Sequence, residues 1–261
     1  MDKQAQELLD IARSAGQAIL QVYHQDFSVQ HKDDDSPLTA ADLASHKVIV
    51  QRLRDMDPDT PVLSEEAAAT PYETRAGWQR YWLIDPLDGT REFVKRNGEF
   101  TVNIALIVDG RPVLGVVHVP VSGVSYVGAG AQGAWKIEAD GTTRPIHVRD
   151  KRAQKIQVAG SRSHAGDSLL RFLDRIGDHE IVSMGSSLKL CLVAEGTADI
   201  YPRLGPTSEW DTAAAQAVVE AAGGMVTDTQ MQPLRYNTKE SLLNPYFLVF
   251  GDRSENWGRF V

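Results

Sequence analysis

The sequence predicts a mixed α/β fold in which an α+β N-terminal part is followed by an α/β C-terminal part. Two helix-like patterns open the chain, and a long run of strand-like segments follows them. After about residue 150, short apolar runs alternate with helical segments, which favours an α/β layer. We therefore expect two parts, residues 1–150 and residues 151–261, packed tightly because no flexible linker lies between them.

The N-terminal part is predicted to hold two helices and then a mostly antiparallel sheet. Apolar residues at helical spacing predict helices over residues 3–24 and 40–55, the second with Thr39 as its N-cap. Residues 99–127 follow a strand-like pattern, and an Asp-Gly pair at 109–110 predicts a hairpin turn. Further strand patterns lie at residues 61–64, 80–85, 133–138 and 145–148.

The C-terminal part alternates strands with helices. Strand patterns lie at residues 155–160, 179–185, 198–204, 225–228 and 245–251. Helical patterns lie at residues 167–176, 187–195 and 207–224. The last of these is the clearest, because it is rich in alanine and ends at Gly223 and Gly224.

Composition excludes several classes of protein. The formal net charge of the 261 residues is −8, which argues against a nucleic-acid polymer as partner. The single cysteine, Cys191, allows no internal disulfide and lies in an apolar helical pattern, so we expect it in the core of a protein from a reducing compartment. We find no signal peptide and no apolar run long enough to span a membrane. A cytoplasmic protein is expected, with loose attachment to the inner face of the membrane and the oligomeric state left open.

The segment G-A-G-A-Q-G at residues 128–133 matches the G-x-G-x-x-G template of dinucleotide-binding sites. Such a site needs a helix directly after the glycines, because the helix N-terminus receives the pyrophosphate. Residues 135–137 are instead typical of a strand. We interpret the segment as a glycine-rich β-turn.

Acidic residues follow several predicted strands or begin a helix. The stretch W-L-I-D-P-L-D contains Asp85 and ends at Asp88. Glu65 follows a short predicted strand, and Asp211 lies at the start of the clearest helix. Taken singly, each has an ordinary structural explanation, such as a surface turn or a favourable helix start. Together they predict a set of hard oxygen ligands for an ion such as Mg²⁺. Without a cation, clustered acids would repel each other.

These motifs resemble those of a known family. D-P-L-D-G-T (85–90), S-E-E (64–66), W-D-T-A-A (210–214) and P-L-T-A-A-D (37–42) are similar to the signatures of the Mg²⁺-dependent, lithium-sensitive inositol monophosphatase-like superfamily. The resemblance covers essentially the whole chain. It implies a layered αβαβα sandwich.

Other segments are most similar to the bisphosphate nucleotidases of that superfamily. They are R-E-F (91–93), S-R-S-H (161–164), G-S-S-L-K (185–189) and Y-P-R-L-G-P-T-S-E-W-D (201–211). The activity implied is hydrolysis of 3'-phosphoadenosine 5'-phosphate to AMP and phosphate, so that the partner is a small phosphorylated nucleotide.

The resemblance also implies roles for single residues. The metal ligands it implies are the side chains of Glu65, Asp85, Asp88 and Asp211 and the carbonyl group of Leu87. Asp42 and Thr90 match the pair that orients the attacking water. Roughly two or three Mg²⁺ ions per site are implied.

The second phosphate of such a substrate needs donors of its own. Ser186, Ser187 and Lys189 lie where a strand gives way to a helix, which favours anion binding, although an ordinary capped helix would look the same. The full set of predicted substrate contacts is Glu65, Leu87, Asp88, Gly89, Thr90, Ser161, Arg162, His164, Ser186, Ser187, Lys189, Arg203 and Asp211.

Two alternatives remain open at this point. The first is an inositol or sugar phosphate phosphatase with the same metals. The second is an inactive relative that binds phosphorylated ligands as a sensor. An inactive relative would lack an acid or the threonine after D-G, and neither is missing here.

Overall fold

The computed structural model describes residues 1–25, 37–67, 70–160 and 166–261. In chain order the elements are α1 (Lys3–Tyr23), α2 (Pro37–Met56), β1 (Val62–Ser64), α3 (Tyr72–Arg75), β2 (Arg80–Asp88), α4 (Thr90–Val94), β3 (Thr101–Val108), β4 (Arg111–His118), β5 (Ser125–Gly128), β6 (Ala134–Ile137), β7 (Thr143–Pro145), β8 (Ile156–Gly160), α5 (Asp167–Ile176), β9 (His179–Ser183), α6 (Leu188–Ala194), β10 (Ile200–Arg203), α7 (Glu209–Ala221), β11 (Met225–Asp228) and β12 (Phe247–Phe250). Within these described ranges, no helix has the length and apolar character needed to cross a membrane.

The first sheet has seven strands in the order of the chain, β1 to β7. Strands β1 and β2 are parallel, and every later neighbour is antiparallel. Asp109 and Gly110 connect β3 to β4 with φ angles of 49° and 69°, which is the left-handed geometry of a tight hairpin turn. The predicted hairpin is therefore confirmed.

The second sheet is mixed and has five strands in the order β11-β12-β10-β8-β9. Strand β8 is parallel to both β9 and β10, whereas β12 is antiparallel to its neighbours β10 and β11. The parallel strands are those joined through α5 and α6, as the alternating pattern predicts.

The elements stack in five layers. Alternate residues of β2 face opposite sides, so that Trp82 packs against α1 and α2 while Tyr81 packs against α6 and α7. In the second sheet Tyr201 faces the same middle helices, and Ile200 packs against α5. The order helix, sheet, helix, sheet, helix confirms the predicted fold. Cys191 lies in the middle layer and is 1% exposed, as expected of a core residue.

Two glycines let α7 lie directly on the first sheet. A Cβ atom at Gly115 would lie 2.3 Å from the carbonyl oxygen of Ala214, and one at Gly128 would lie 2.4 Å from the Cα of Val218. Gly128 is also the first glycine of G-A-G-A-Q-G, which continues into a 3₁₀ turn and β6. The structure thus has a turn in this segment, as interpreted from the sequence, and adds a packing role for Gly128 that was not predicted.

Some element bounds differ from the predictions. The N-cap at Thr39 is wrong, because α2 already begins at Pro37 and includes this residue. The strand expected at 145–148 ends at Pro145. The chain changes sheet between Pro145 and Ile156, but α7 returns to the first sheet, so the division at residue 150 stays a prediction about domains.

Candidate metal centre and its cleft

The acids of β2 lie in a strand bulge. The strand, predicted to end at residue 85, continues to Asp88, and its register with β3 shifts between Asp85 and Asp88. The hydroxyl of Ser45 donates to the Pro86 carbonyl over 2.7 Å, and Oδ1 of Asp85 accepts the Leu87 N–H over 3.1 Å. Because a bulge re-aims side chains, both acids can face one centre.

The chain bends sharply only after the bulge, at Gly89. Its φ angle is +98°, a region that favours glycine, and a Cβ there would lie 3.2 Å from Phe100 and 3.3 Å from the Cβ of Ser186. Gly89 therefore allows β2 to turn into α4 beside the loop that precedes α6. The backbone geometry explains why glycine occupies this position. The substrate contact predicted for Gly89 stays a prediction.

Three carboxylates meet at the end of β2. One oxygen each from Glu65, Asp85 and Asp211 lies within 4.8 Å of the others. They come from the loop after β1, from β2 and from the first turn of α7. Carboxylate oxygens at this spacing fit a hard divalent cation, and Glu65 remains solvent-exposed on the open side.

Electrostatics support the fit. Burial raises the pKa of Asp85 well above its usual range, and the charge of Asp88 adds to the shift. Burial, followed by Asp88, raises the pKa of Asp211 to about 7. Partial desolvation of the Glu65 carboxyl group on its inner side, followed by the charge of Glu66, raises the pKa of Glu65. A bound cation would relieve this repulsion.

Asp88 lies near the three carboxylates but is held differently. The hydrogen bonds to its side chain from the described residues all reach Oδ2. Oδ2 accepts hydrogen bonds from the Ser186 hydroxyl over 2.5 Å, from the Ser187 N–H over 2.7 Å and from the Ser187 hydroxyl over 2.8 Å. Oδ1 is thus the oxygen left to face a cation. Both serines were predicted to contact substrate, and the structure directs their hydroxyl groups to Asp88.

The predicted water-orienting pair lies at the edge of the cluster. Asp42, on α2, is 9% exposed, and its Oδ1 has no hydrogen-bond partner among the described residues. Burial and the neighbouring charges of Glu66 and Glu65 raise the pKa of Asp42 to about 8. Thr90 is exposed at the start of α4. No hydrogen bond within the described ranges joins Asp42 to Thr90, so their shared role stays a prediction.

A cleft extends from the acids toward α5. Two adjoining cavities of about 300 and 360 Å³ share four lining residues, Arg91, Lys189, Tyr201 and Arg203. The first cavity also reaches Asp88 and Asp211. The second is lined by apolar residues that include Leu169, Pro202, Leu204 and Pro206. The cleft is therefore acidic at one end, basic in the middle and more apolar at the far end.

The basic residues of the cleft differ in their partners. Lys189 is 7% exposed, and its ammonium group donates to the carbonyl of Ser186 over 2.7 Å and to that of Met184 over 3.4 Å. Burial lowers the pKa of Lys189. Arg203 donates to Thr207 Oγ1 over 2.5 Å and to the Pro206 carbonyl over 2.7 Å.

Arg91 is the exception in this group. It is exposed in the first turn of α4, and we find no hydrogen bond or ion pair of its guanidinium within the part of the chain described. The sequence stretch R-E-F includes it, but it was not predicted as a contact. A basic residue directly after D-G-T is the signal that could have identified it.

Three predicted contacts fall outside the described residues, namely Ser161, Arg162 and His164. The residues that flank them, Gly160 and Gly166, line the larger cavity. Sequence reasoning also missed Thr101 and Asn103, which are buried in β3 and reach the serines next to Asp88. Two polar residues at alternate positions of an otherwise apolar strand were the available signal.

Comparisons with known proteins identify the family of the chain. The model of the inositol monophosphatase family matches residues 1–253. The chain belongs to this family. It is 54% identical over 246 residues to the 3'(2'),5'-bisphosphate nucleotidase CysQ of Salmonella typhimurium, which covers 94% of this chain and 98% of that protein.

Solved structures show the same fold. CysQ from Bacteroides thetaiotaomicron superposes with a TM-score of 0.88 at 42% identity, over 97% of this chain and 98% of that one. An inositol monophosphatase from Zymomonas mobilis superposes with a TM-score of 0.79 at 25% identity, over 98% of this chain and 96% of that one. The predicted family resemblance is confirmed.

Proposed function

We propose that this chain is a Mg²⁺-dependent phosphatase that hydrolyses the 3'-phosphate of 3'-phosphoadenosine 5'-phosphate, giving AMP and phosphate. The observation that carries the proposal is the cleft, where carboxylates at one end adjoin basic groups in the middle. Its support is the 54% identity to a bisphosphate nucleotidase over nearly the whole chain. We place the activity in the cytoplasm, in keeping with a single buried cysteine.

Mg²⁺ would be held by the carboxylates of Glu65, Asp85, Asp88 and Asp211 and by the Leu87 carbonyl, with roughly two or three ions per site. When bound, the ions supply charge neutralisation for the transferred phosphoryl group and make a coordinated water easier to deprotonate. The bulge fixes the carbonyl of Leu87 and both aspartates of β2 in one rigid segment.

The chain's own groups would orient the reactants. Asp42 presents a buried carboxylate oxygen that has no hydrogen-bond partner among the described residues, and the exposed residue Thr90 begins α4. Together they would align the water for in-line attack, because phosphoryl transfer depends on position more than on covalent catalysis. No nucleophilic serine or cysteine is required.

The second phosphate would lie in the basic middle of the cleft. Arg91 offers a guanidinium that has no partner among the described residues and can bind a phosphate with two parallel hydrogen bonds. Lys189 and Arg203 would add positive potential, although their donors already have protein partners. The apolar far end would receive the base. Ser161, Arg162 and His164 remain predicted contacts.

A second candidate is an inositol or sugar phosphate phosphatase. The similarity to the Zymomonas mobilis inositol monophosphatase favours it, because the fold and the family are shared. Such a monophosphate has no second phosphate to place beside Arg91, Lys189 and Arg203. The basic middle of the cleft therefore favours the bisphosphate.

The test is phosphate release from adenosine 3',5'-bisphosphate and from inositol 1-phosphate, each with Mg²⁺ and with EDTA. We expect the bisphosphate to have the higher kcat/KM and EDTA to abolish both activities, with recovery on adding Mg²⁺. A higher kcat/KM for inositol 1-phosphate would favour the second candidate. Full turnover in chelated buffer would contradict the metal centre.

A further inference from the structure

Ser187 stands where three elements of the site converge. It is 2% exposed and lies directly before α6, yet its side chain does not cap that helix, as serine at this position commonly does. Its hydroxyl oxygen lies 2.8 Å from Asp88 Oδ2, 2.7 Å from the carbonyl oxygen of Asp211 and 2.8 Å from Asn103 Nδ2. One atom therefore contacts β2, β3 and α7.

The hydrogen-bond roles follow from the groups present. The amide nitrogen of Asn103 has only hydrogens to offer, so it donates to the Ser187 oxygen. The hydroxyl has a single hydrogen and two acceptors within reach, the Asp88 carboxylate and the Asp211 carbonyl. Whichever acceptor takes the hydrogen, the oxygen remains packed between both residues. A buried polar group with these partners is held in one position.

We propose that Ser187 is a positioning residue that sets the distance between two metal ligands of the chain, Asp88 of the first sheet and Asp211 of α7. The inference rests on the proposed metal centre and deepens it. Oδ2 of Asp88 is engaged by Ser186 and Ser187, which turns Oδ1 toward the cation. Groups that orient a metal ligand in this way typically change metal affinity by about 10–100-fold when they are removed.

Asn103 and Thr101 support the arrangement from β3. The Thr101 hydroxyl oxygen lies 2.6 Å from the Ser186 hydroxyl oxygen, and the same hydroxyl donates to Asn103 Oδ1 over 3.0 Å. Both residues are 1% exposed or less, so their polar atoms have no solvent to replace a lost partner. The serines and the two β3 residues therefore form one buried network behind Asp88.

The experiment measures Mg²⁺ binding to the substrate-free protein by calorimetry, so it does not depend on turnover. We expect Ser187→Ala to weaken Mg²⁺ binding about 10–100-fold. Ser183→Ala is the matched control, because Ser183 ends β9 four residues away and we find no side-chain hydrogen bond for it among the described residues. Its Mg²⁺ affinity should stay within twofold of the wild type.

The outcomes separate the inference from the proposed function. A wild-type protein that binds no Mg²⁺ would overturn the metal centre itself. Mg²⁺ binding that is unchanged in Ser187→Ala, even with a lower melting temperature, would overturn the positioning role. If Ser187→Ala does not fold, Ser187→Cys retains a side chain of similar shape with a weak donor and should also weaken Mg²⁺ binding. Unchanged affinity in that variant would likewise overturn the role.

Discussion

The acidic end and the basic middle of the cleft differ in how their charged groups are balanced. At the acidic end, burial together with the charges of neighbouring carboxylates raises the pKa values of Asp85 and Asp211. In the basic middle, Lys189 and Arg203 are already bound to carbonyl oxygens of the chain. The acidic end is therefore suited to an external cation, whereas Lys189 and Arg203 already have partners within the chain.

This difference separates residues that create the site from residues that select the substrate. A buried charged side chain beside like charges destabilises the fold, and an apolar residue of the same size would often be more stable. Such a side chain is therefore a candidate for a functional role. A charged side chain that donates hydrogen bonds to backbone carbonyl groups, as Lys189 and Arg203 do, stabilises the local structure of the chain. Arg91 belongs to neither class, because it is basic and has no partner of its own within the described residues.

The largest effect is expected at the acidic end. Asp85→Asn keeps the size of the side chain but removes a charge, so kcat should fall at least about 10³-fold, since each 1.36 kcal/mol of lost stabilisation is tenfold. The metal-free variant should be no less stable than the wild type, because one member of a repelling group is neutral. Steady-state kinetics and denaturant unfolding with EDTA measure the two results.

Asp140→Asn is the control, because Asp140 lies in an exposed loop away from the cleft. It should change neither quantity. A variant Asp85→Asn that kept a tenth of the wild-type kcat would remove Asp85 from the ligands. A metal-free Asp85→Asn variant that is much less stable than the metal-free wild type would show that the carboxylates at the acidic end do not repel each other.

The next effect distinguishes the basic residues from each other. A charge-assisted hydrogen bond contributes roughly 1.5–3 kcal/mol, so Arg91→Ala should lower kcat/KM for adenosine 3',5'-bisphosphate about 10–150-fold. The loss for inositol 1-phosphate should be smaller. Lys189→Met should lower both values and change their ratio less than Arg91→Ala does, because Lys189 chiefly fixes the loop that carries Ser186. The ratio of the two substrates is the measurement.

Arg54→Ala provides the matched control for Arg91→Ala, since Arg54 is exposed in the last turn of α2 and does not line the cleft. Arg91→Lys should recover part of the lost activity, because it restores the charge but not the planar pair of donors. If only Lys189→Met changed the ratio, the phosphate would be bound by Lys189, and Arg91 would have no role in selection.

The last effect lies outside the cleft, where the buried imidazole of His118 has no acidic hydrogen-bond partner among the described residues. His118 in β4 is 5% exposed, and burial together with the charge of Arg13 lowers its pKa to about 4. The folded state keeps this imidazole neutral, whereas the unfolded chain binds a proton below about pH 6.5. The free energy of unfolding should therefore fall as pH decreases from about 6.5 to 4, by up to about 3 kcal/mol.

Denaturant titrations of the wild type and of His118→Gln at several pH values check this result. The variant should lose less stability than the wild type over that interval. His24→Gln, at the exposed end of α1, should follow the wild type. Identical slopes in all three proteins would show that His118 does not contribute to the acid sensitivity of the fold.

Much of the fold could be predicted from local patterns. The hairpin at Asp109 and Gly110 and the helix α7 follow from turn chemistry and composition, which act over a few residues. The bulge in β2 could not be predicted, because it depends on pairing with β3 and on the Ser45 hydroxyl. The short helix α4 was also missed, since five residues give no helical period.

The candidate site shows the same limit. Glu65, Asp85 and Asp211 were identified from motifs, and the structure brings their oxygens together. The partners of Ser187 are 84 residues away at Asn103 and 99 residues away at Asp88. No local pattern contains contacts of that range, so the sequence could not predict the hydrogen bonds that Ser187 makes to Asn103 and Asp88.

The close packing of α7 on Gly115 and Gly128 has a consequence for the order of events when the chain folds. Asp85 and Asp88 belong to a meander of neighbouring strands, which a nascent chain can form early. Asp211 can join them only after α7, synthesised much later, has settled into the space those glycines leave on the first sheet. Because contacts of long sequence separation form slowly, the full affinity for Mg²⁺ should appear at the last stage of folding. Recovery of metal binding during refolding would then report completion of the molecule rather than formation of its first sheet.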